Sequence, residues 1–369
     1  RGSGSVGNRG LPRAVTGSMW PSGRGVVASR FLSRIRGKAL RTLASLVLLP
    51  CVVSVLAGCS VEGDPSSPPV DDTFVPAPFC TTGLPLDYRA ADRSVLKDFA
   101  VVHDGERFHL FATRPGAGWS SGGGIDFEHA TSSDLIDWTA HDPVDLRRPG
   151  VAETETWAPH VVRHDGRWWM FYTGVVYEAG AEQHNVQRIL SAVSDDLRTW
   201  QPTSMVLEGD PSFSAWGSGM PWGDDLRDPM LWYDDGAWIL FVTVRLHDER
   251  QCIATARSSD LQTWTWNGPL LVTAGAVSES PTLVRYRGRH WLFWTGREGL
   301  RAASAHAPEG PYTPEPLDVR GFACETLGLG DGSVLLPRVL GHAVSFVRLL
   351  PDDTAPPRVS TMVSPLCFG

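Results

Sequence analysis

Basic residues are scarce in most of this chain, and acidic residues are absent from its start. Residues 1–58 carry nine Lys or Arg and no Asp or Glu, whereas the remainder carries 24 Lys or Arg against 41 Asp or Glu. A body this acidic does not attract a polyphosphate backbone, so nucleic acid is not expected as a partner. The six cysteines include no Cys-x-x-Cys or Cys-x-x-His spacing, so the sequence does not favour a zinc site. The apolar run Leu43–Leu56 is too short to span a bilayer comfortably.

The N-terminal segment has the layout of an export signal. Residues 1–29 are rich in Gly, Ser and Arg, which predicts disorder, and five basic residues from Arg30 to Arg41 precede the apolar run. The run ends in Leu-Ala-Gly-Cys at Cys59, which resembles the lipobox of bacterial lipoproteins. That resemblance implies diacylation of the Cys59 thiol and cleavage before it. An ordinary signal peptide with an incidental cysteine is the alternative.

A tether follows the leader of residues 1–58. Residues 59–79 are rich in Pro, Ser and Asp and would hold a folded domain off the membrane as a semi-extended spacer. Ser60, rather than Asp, follows the cysteine, which in lipoproteins implies the outer membrane. We therefore expect a lipid-anchored protein of the bacterial cell envelope, with a secreted protein as the alternative.

A β-hairpin pattern recurs along the chain and predicts the fold. Leu226–Arg245 reads LRDPMLWYDDGAWILFVTVR, in which an Asp-Gly turn separates two apolar strands. Similar hairpins surround Gly105, Gly166 and Gly288, each followed by an aromatic-rich run that ends in Thr, and a weaker one surrounds Gly332. The five turn glycines are 61, 70, 52 and 44 residues apart.

A second repeat trails the first and supports the same fold. The sequences SSDLIDW, SDDLRTW and SSDLQTW end at Trp138, Trp200 and Trp264. Units of this length, built of strands and turns, are typical of propeller blades. The sequence therefore predicts an all-β, five-bladed β-propeller as a single domain over residues 80–369. A β-sandwich is the alternative, but it would not repeat both motifs in register.

Four cysteines lie in the predicted domain: Cys80, Cys252, Cys324 and Cys367. In an oxidising compartment they predict two disulfides, with three possible connectivities. A propeller must be closed where its two ends meet, and Cys80 and Cys367 flank the repeats. We favour this pair as a clasp.

Aligning the turn glycines places a carboxylate at the head of the first strand in four of the five units. These residues are Asp98, Asp228, Glu279 and Glu325, and the second unit has Trp157-Ala158-Pro159 there. If these strands are innermost, three or four carboxylates gather at one mouth of the tunnel, where each raises the pKa of its neighbours. One protonated and one ionised carboxyl are what glycosidic cleavage requires. The alternative is structural, with Asp228 paired to Arg227 and Asp98 paired to Lys97.

These motifs resemble the five-bladed β-propeller glycoside hydrolases of families 43, 32, 62 and 68, over nearly all of residues 90–350. Arg227-Asp228-Pro229 resembles the third-blade Arg-Asp-Pro of families 32 and 68, and Trp157-Ala158-Pro159 matches a second-blade motif of family 43. Glu279-Ser280-Pro281 resembles the Glu-x-Pro that bears the general acid. The resemblance implies that Asp98 is the base or nucleophile, Asp228 the transition-state stabiliser and pKa modulator, and Glu279 the acid.

Two departures bear on the choice of family. Lys97-Asp98-Phe99 replaces the Asn-Asp-Pro-Asn-Gly usual in family 32, and the sequence stops at Gly369 without the C-terminal β-sandwich of that family. We therefore favour a family 43-like enzyme, which implies an inverting hydrolase of furanosides or xylosides. We expect a monomer. The alternatives are a retaining β-fructosidase-like enzyme of family 32/68 type, with Asp98 as nucleophile, and a carbohydrate-binding propeller without catalysis. No cofactor is expected, although the resemblance to family 43 allows a calcium near the axis.

Further residues are predicted to bind the sugar. They are Trp157, His160, Arg227, His129, Trp119, Trp216, Trp222 and Glu325. The two histidines could reach the mouth, and the last three tryptophans lie in Gly/Ser-rich loops with faces suited to stacking on sugar rings. A structural role is the alternative for each histidine, and packing within the loop is the alternative for each loop tryptophan. Trp168, Trp169 and the tryptophans of the trailing repeat are predicted to be core.

Overall fold

The computed structural model describes residues 79–81, 87–114, 126–146, 148, 153, 155–177, 185–219, 223–273, 277–317, 319–329, 332–341, 343–349, 359–360 and 366–368. All of them lie in the second of the chain's two compact units, Asp64–Gly369. Their regular secondary structure consists of β-strands, as the sequence predicted. In these residues no helix is long and apolar enough to cross a membrane. The predicted leader, Cys59 and most of the tether lie outside the described residues.

The first two blades are built from consecutive strands. The strands β1 (Phe79–Thr81) and β2 (Asp87–Tyr88) precede them. The first blade contains β3 (Lys97–His103), β4 (Phe108–Thr113), β5 (Asp126–Ser132), β6 (Trp138–Ala140) and β7 (Val144–Asp145). The second contains β8 (Glu155–His164), β9 (Arg167–Tyr177), β10 (Asn185–Ser194), β11 (Gln201–Leu207) and the short β12 (Gly223–Asp224).

The other three blades follow the same antiparallel plan. The third contains β13 (Leu226–Asp234), β14 (Ala237–Arg245), β15 (Gln251–Ser258) and β16 (Thr265–Val272). The fourth contains β17 (Ser278–Tyr286), β18 (Arg289–Gly296), β19 (Gly299–Ala305) and β20 (Thr313–Glu315). The fifth contains β21 (Phe322–Cys324), β22 (Leu327–Gly328), β23 (Val334–Leu340), β24 (Ala343–Leu349) and β25 (Val359–Ser360), and β26 (Leu366–Phe368) follows it. The innermost strands β3, β8, β13, β17 and β21 contact one another in this order, and β21 contacts β3 again. The five-bladed propeller is therefore confirmed.

The ends of the chain meet at the fifth blade. Strand β2 pairs with β24, so an N-terminal strand completes a blade made otherwise of C-terminal residues. Strand β1 pairs with β26, and this register sets Cys80 opposite Cys367. Cys252 and Cys324 are free and buried, one in the third blade and one in the fifth. The prediction of two disulfides is therefore wrong, because Cys252 and Cys324 form none.

The hairpin turns are built as the sequence predicted. Asp235 and Gly236 both have positive φ, at 48° and 78°, which is the geometry of a two-residue turn that matches the twist of its strands. The second and fourth blades repeat it at Asp165-Gly166 and Arg287-Gly288. These turns set the register of the first two strands of each blade, and so determine which residues reach the axis.

The trailing Asp-Leu repeat forms a side-chain-capped turn after the third strand. In the second blade, Asp196 Oδ1 accepts hydrogen bonds from the backbone N–H groups of Arg198 and Thr199 at 2.8 and 2.7 Å. Leu197 takes a left-handed φ of 60° and buries its side chain. The first and third blades repeat both features. The repeat therefore stabilises the path from the third to the fourth strand.

Apolar cores lie between neighbouring blades. One core contains Phe111 of the first blade and Met170 and Tyr172 of the second, and four similar cores fill the remaining interfaces. Trp168 and Trp200 are buried in the first of these, and Trp138, Trp169 and Trp264 pack against neighbouring cores. Their predicted role in the core is confirmed.

Candidate active site

A β-bulge at the head of each innermost strand sets which residues face the mouth of the propeller. Each strand pairs regularly with its neighbour except at this point, where one or two residues are left out of the register. The residues just before the bulges are Lys97, Trp157, Arg227, Glu279 and Phe322. The residues that follow them are Asp98, Ala158, Asp228, Ser280 and Ala323.

This register corrects the alignment made from the turn glycines. That alignment treated Asp98, Asp228 and Glu279 as equivalent, but Glu279 pairs with Thr295 just as Arg227 pairs with Thr243. Glu279 is therefore equivalent to Arg227, and Ser280 is the residue equivalent to Asp228. Glu325 lies beyond the bulge of its own blade.

Threonines at the ends of the second strands join the blades at this level. Thr113 Oγ1 accepts a hydrogen bond from the Ala158 N–H at 2.8 Å, and Thr173 Oγ1 accepts one from the Asp228 N–H at 3.1 Å. The link between the third and fourth blades is different. There Thr243 Oγ1 and the Ser280 N–H both donate to Asp228 Oδ2, each at 3.0 Å. Two donors thus hold one carboxylate oxygen of Asp228.

The three predicted catalytic carboxylates line a single cavity of about 400 Å³. Its other lining residues are Lys97, Thr113, Trp157, Tyr177, Arg227, Ser280, Thr295 and Phe322. Asp98 and Asp228 also line a narrower recess with Glu325 and Cys324. The cavity therefore combines acids from the first, third and fourth blades with two cationic and three aromatic side chains.

Burial and mutual repulsion hold both aspartates at unusual proton affinities. Burial raises the pKa of Asp98, and the charge of Glu279 raises it further, whereas Ser280, Lys97 and Arg227 oppose the rise. Burial also raises the pKa of Asp228, to about 7, with contributions from Asp98 and Glu279 and opposition from Arg227. Perturbed carboxyls in a cleft are typical of catalytic sites.

Arg227 lies at the centre of the charged groups. Its Nη2 is 3.5 Å from Glu279 Oε1, its Nε is 3.6 Å from Asp228 Oδ2, and its Nη1 is 3.3 Å from Asp225 Oδ2. Burial opposes its charge, but Asp225, Glu279 and Asp228 together raise the pKa of the guanidinium. Arg227 therefore stays protonated and keeps three acids close together. Asp225 also contacts Arg245.

His160 and Glu325, both predicted to bind the sugar, contact each other and do not line the 400 Å³ cavity. His160 Nδ1 lies 3.1 Å from Glu325 Oε1, and the His160 ring is buried. His160 Nε2 is buried without a hydrogen-bond partner. Calcium prefers six to eight oxygen ligands, and in the described part of the chain no three His, Cys, Asp or Glu side chains form a metal-binding group. A calcium near the axis, held through a histidine and water, stays a prediction.

The structure does not bring His129 to the mouth. Its Nε2 lies 3.1 Å from His109 Nδ1, and its ring stacks on Phe111 with 4.5 Å between centroids. Burial, together with His109 and His141, lowers the pKa of His129 to about 3, so the ring is neutral. The prediction that it binds substrate is therefore wrong, because its strand turns this side chain into the blade.

The tryptophans have three different outcomes. Trp157 lines the cavity, and its Nε1 donates to Glu155 Oε2 at 2.8 Å, which fixes the ring. Trp216 instead packs against the core between the second and third blades, and the Arg188 guanidinium covers its ring at 5.8 Å. Its predicted stacking role is replaced by packing. Trp119 and Trp222 lie outside the described residues.

Several lining residues escaped the sequence analysis. Lys97 and Phe322 precede bulges, and Tyr177 ends the second strand of its blade. A usable signal existed for the bulge position, because Trp157, Arg227 and Glu279 each lie nine residues before their turn glycine. No comparable signal marks Tyr177.

Comparisons with known proteins agree with this fold and cavity. A model of the glycosyl hydrolases family 32 N-terminal domain matches residues 100–308. The chain is 23% identical over 181 residues to a sucrose-6-phosphate hydrolase from Bacillus subtilis (strain 168), a match covering 47% of this chain and 35% of that protein. The chain thus spans about a third of the length of this relative.

Solved structures of two families share the fold. A sucrose-6-phosphate hydrolase from Lactobacillus gasseri superposes with a TM-score of 0.57 at 18% identity, over 70% of this chain and 60% of that one. A thermostable family-43 glycoside hydrolase superposes with a TM-score of 0.55 at 16% identity, over 74% of this chain and 96% of that one. The propeller and its acids define the class of five-bladed glycoside hydrolases. Within that class, the chain belongs to glycosyl hydrolase family 32, which the sequence analysis had ranked behind family 43.

Proposed function

We propose that this protein hydrolyses a furanoside glycosidic bond with Asp98, Asp228 and Glu279. The observation that carries the proposal is their meeting in one cavity from three blades, with Arg227 between two of them. Glycoside hydrolysis needs two carboxyl groups on opposite sides of the scissile bond. The cavity also offers Trp157 and Phe322 as apolar surfaces for a sugar ring.

The proposed substrates are β-fructofuranosides. Family membership supports this class, as does the similarity to a protein described as a sucrose-6-phosphate hydrolase. The family assignment also moves the proposal from the inverting mechanism to the retaining one. Asp98 is then the nucleophile rather than the base that activates water.

The proposed reaction has two steps. Glu279 gives its proton to the leaving oxygen while an Asp98 oxygen bonds to the anomeric carbon, which breaks the glycosidic bond and forms a sugar ester. Water then attacks the anomeric carbon, Glu279 takes a proton from it, and Asp98 leaves as a carboxylate. Asp228 Oδ2 is held by Thr243 and Ser280, so its Oδ1 is left for sugar hydroxyls.

A second candidate is an inverting hydrolase of arabinofuranosides or xylosides. It is favoured by Lys97-Asp98-Phe99, which departs from the usual family 32 motif, and by the 96% coverage of the family-43 structure. In this candidate Asp98 activates a water molecule and no ester forms. The two candidates differ in substrate and in stereochemical outcome.

A substrate panel tests the proposal. The full chain is incubated with sucrose, inulin, levan, arabinan, arabinoxylan and xylan, and reducing sugar is measured. We expect release from one or more fructosides, and loss of that release in Asp98→Asn. Release from arabinan or xylan alone favours the second candidate. No release from any substrate, with binding retained, would instead make the protein a carbohydrate-binding propeller.

We also propose an envelope location, with lipid on Cys59 and a disulfide between Cys80 and Cys367. The Leu-Ala-Gly-Cys sequence supports the first, and the backbone register of β1 and β26 supports the second. Mass spectrometry of the protein from a bacterial host should find an acylated N-terminal Cys59 and a peptide joining Cys80 to Cys367. A free N-terminus after Cys59, with the protein in the medium, contradicts the anchor, and alkylation of Cys80 without prior reduction contradicts the clasp.

A further inference from the structure

Ser280 contacts two of the three catalytic carboxylates and directly follows the residue that carries the third. Its hydroxyl donates to Asp98 Oδ1 at 2.8 Å, and its N–H donates to Asp228 Oδ2 at 3.0 Å. The residue before it is Glu279. The hydroxyl contact joins the fourth blade to the first across the axis, between residues 182 positions apart.

The other blades show that this backbone site does not need a hydroxyl. Ser280 has a left-handed φ of 51°, and the equivalent residues Ala158 and Ala323 have φ values of 47° and 44°. Alanine therefore adopts this conformation in two blades of the same protein. In the fourth blade, serine adds one hydroxyl to the same backbone conformation, and that hydroxyl donates a hydrogen bond to Asp98.

We propose that Ser280 is a positioning residue that orients Asp98 and keeps it ionised for attack on the sugar. The proposal rests on the function proposed above. The hydrogen bond occupies Asp98 Oδ1, which leaves Oδ2 as the oxygen that attacks. The Ser280 hydroxyl stabilises the ionised form of Asp98, which burial and the charge of Glu279 both disfavour. The backbone N–H of the same residue holds Asp228, so one residue sets the spacing of two acids.

The test compares Ser280→Ala with wild type, using sucrose as the probe and the full chain. Removing the donor raises the pKa of Asp98, so less of the nucleophile is ionised at acidic pH. The acidic limb of kcat/KM against pH should move to higher pH by about one unit, because a hydrogen bond to a charged group is worth roughly that much. Activity on the alkaline side of that limb should change far less. Ser280→Cys, with a weak S–H donor, should fall between the two.

Ser278→Ala is the matched control. Ser278 lies two residues away on the same strand, is buried, and contacts Thr273 rather than a carboxylate. It should leave the acidic limb unchanged. A loss of activity by the same factor at every pH in Ser280→Ala, with an unchanged limb, would overturn the proposal.

A second readout works without turnover. Protein labelled with ¹³C at the aspartate carboxyl carbons is titrated by NMR, and the Asp98 signal is identified by its absence in Asp98→Asn. The Asp98 midpoint should be about one pH unit higher in Ser280→Ala than in wild type, and an equal midpoint overturns the proposal. If wild type hydrolyses nothing, the proposed function fails while this comparison still decides the role of Ser280.

Discussion

At the residue scale, one largely buried arginine offsets the repulsion within a cluster of acids. Arg227 contacts Asp225, Asp228 and Glu279 within 3.6 Å, and Asp225 contacts a second arginine, Arg245. Removing a largely buried member of such a group leaves an uncompensated charge, which is costly. The charged groups of the site are therefore interdependent, and single substitutions at Arg227 or Asp225 will change folding as well as activity.

Glu279 is the acid most open to a clean test, because its side chain is 36% exposed and its loss strands little buried charge. Glu279→Gln should lower turnover of unactivated glycosides by about 100-fold or more, the usual scale of general acid catalysis. Aryl glycosides with good leaving groups should lose less, since they need no proton to depart. Glu298→Gln, on a side chain that is 77% exposed, is the control and should be neutral. Equal losses on both kinds of substrate, with the fold intact, would contradict the assignment.

The candidate catalytic residues could be predicted because their motifs are short and local. Arg227-Asp228-Pro229 and Glu279-Ser280-Pro281 can be read without knowing the fold. The contacts between them could not, since Ser280 reaches Asp98 across the axis from a distant part of the chain. His129 failed for a related reason, because the face of a strand on which a side chain lies depends on a register that the sequence alone does not set.

At the element scale, we expect the capped turns after the third strands to stabilise the fold, and the Asp-Leu repeat in the sequence marks where these turns lie. Asp196→Ala removes the acceptor of two backbone N–H groups and should lower the free energy of unfolding by about 1–2 kcal/mol. Asp195→Ala is the matched control, because Asp195 makes only an exposed ion pair with Arg167. Its cost should stay below about 0.5 kcal/mol. Urea denaturation measures the free energy of unfolding of the two variants. Equal losses would show that the hydrogen bonds to Asp196 do not stabilise the fold.

The hairpins were predictable from the local sequence, whereas the number of residues in each bulge was not. An Asp-Gly pair between apolar runs determines a turn through local backbone geometry, and Asp235-Gly236 has that geometry. A bulge depends on how two strands and the next blade fit together. In the third blade it leaves Asp228 and Pro229 out of the ladder, whereas in the first blade it leaves out Asp98 alone. Glu279 was displaced by one position because it lies nine residues before its turn glycine and was matched to Asp228, which lies eight before its own.

At the scale of the whole molecule, the way in which the ring closes was only partly predictable from the sequence. The repeats predicted five blades, and the clasp hypothesis placed the two chain ends together. That Asp87–Tyr88 completes the fifth blade was not predicted, because a two-residue strand has no periodicity to detect. The family was also ranked differently. Two departures from the usual family 32 pattern favoured family 43, whereas the match over residues 100–308 places the chain in family 32.

The central claim is that Asp98 and Glu279 act together as nucleophile and acid in a retaining hydrolysis. It is tested most directly by ¹³C NMR of the first-formed sugar, with sucrose labelled at the anomeric carbon of its fructosyl unit. A retaining enzyme releases first the anomer that the substrate had, because two displacements at the anomeric carbon restore its configuration. We predict β-fructofuranose first, and a sugar ester on Asp98 in Glu279→Gln treated with an activated fructoside. Release of the opposite anomer first would contradict the account and make Asp98 the base of an inverting enzyme.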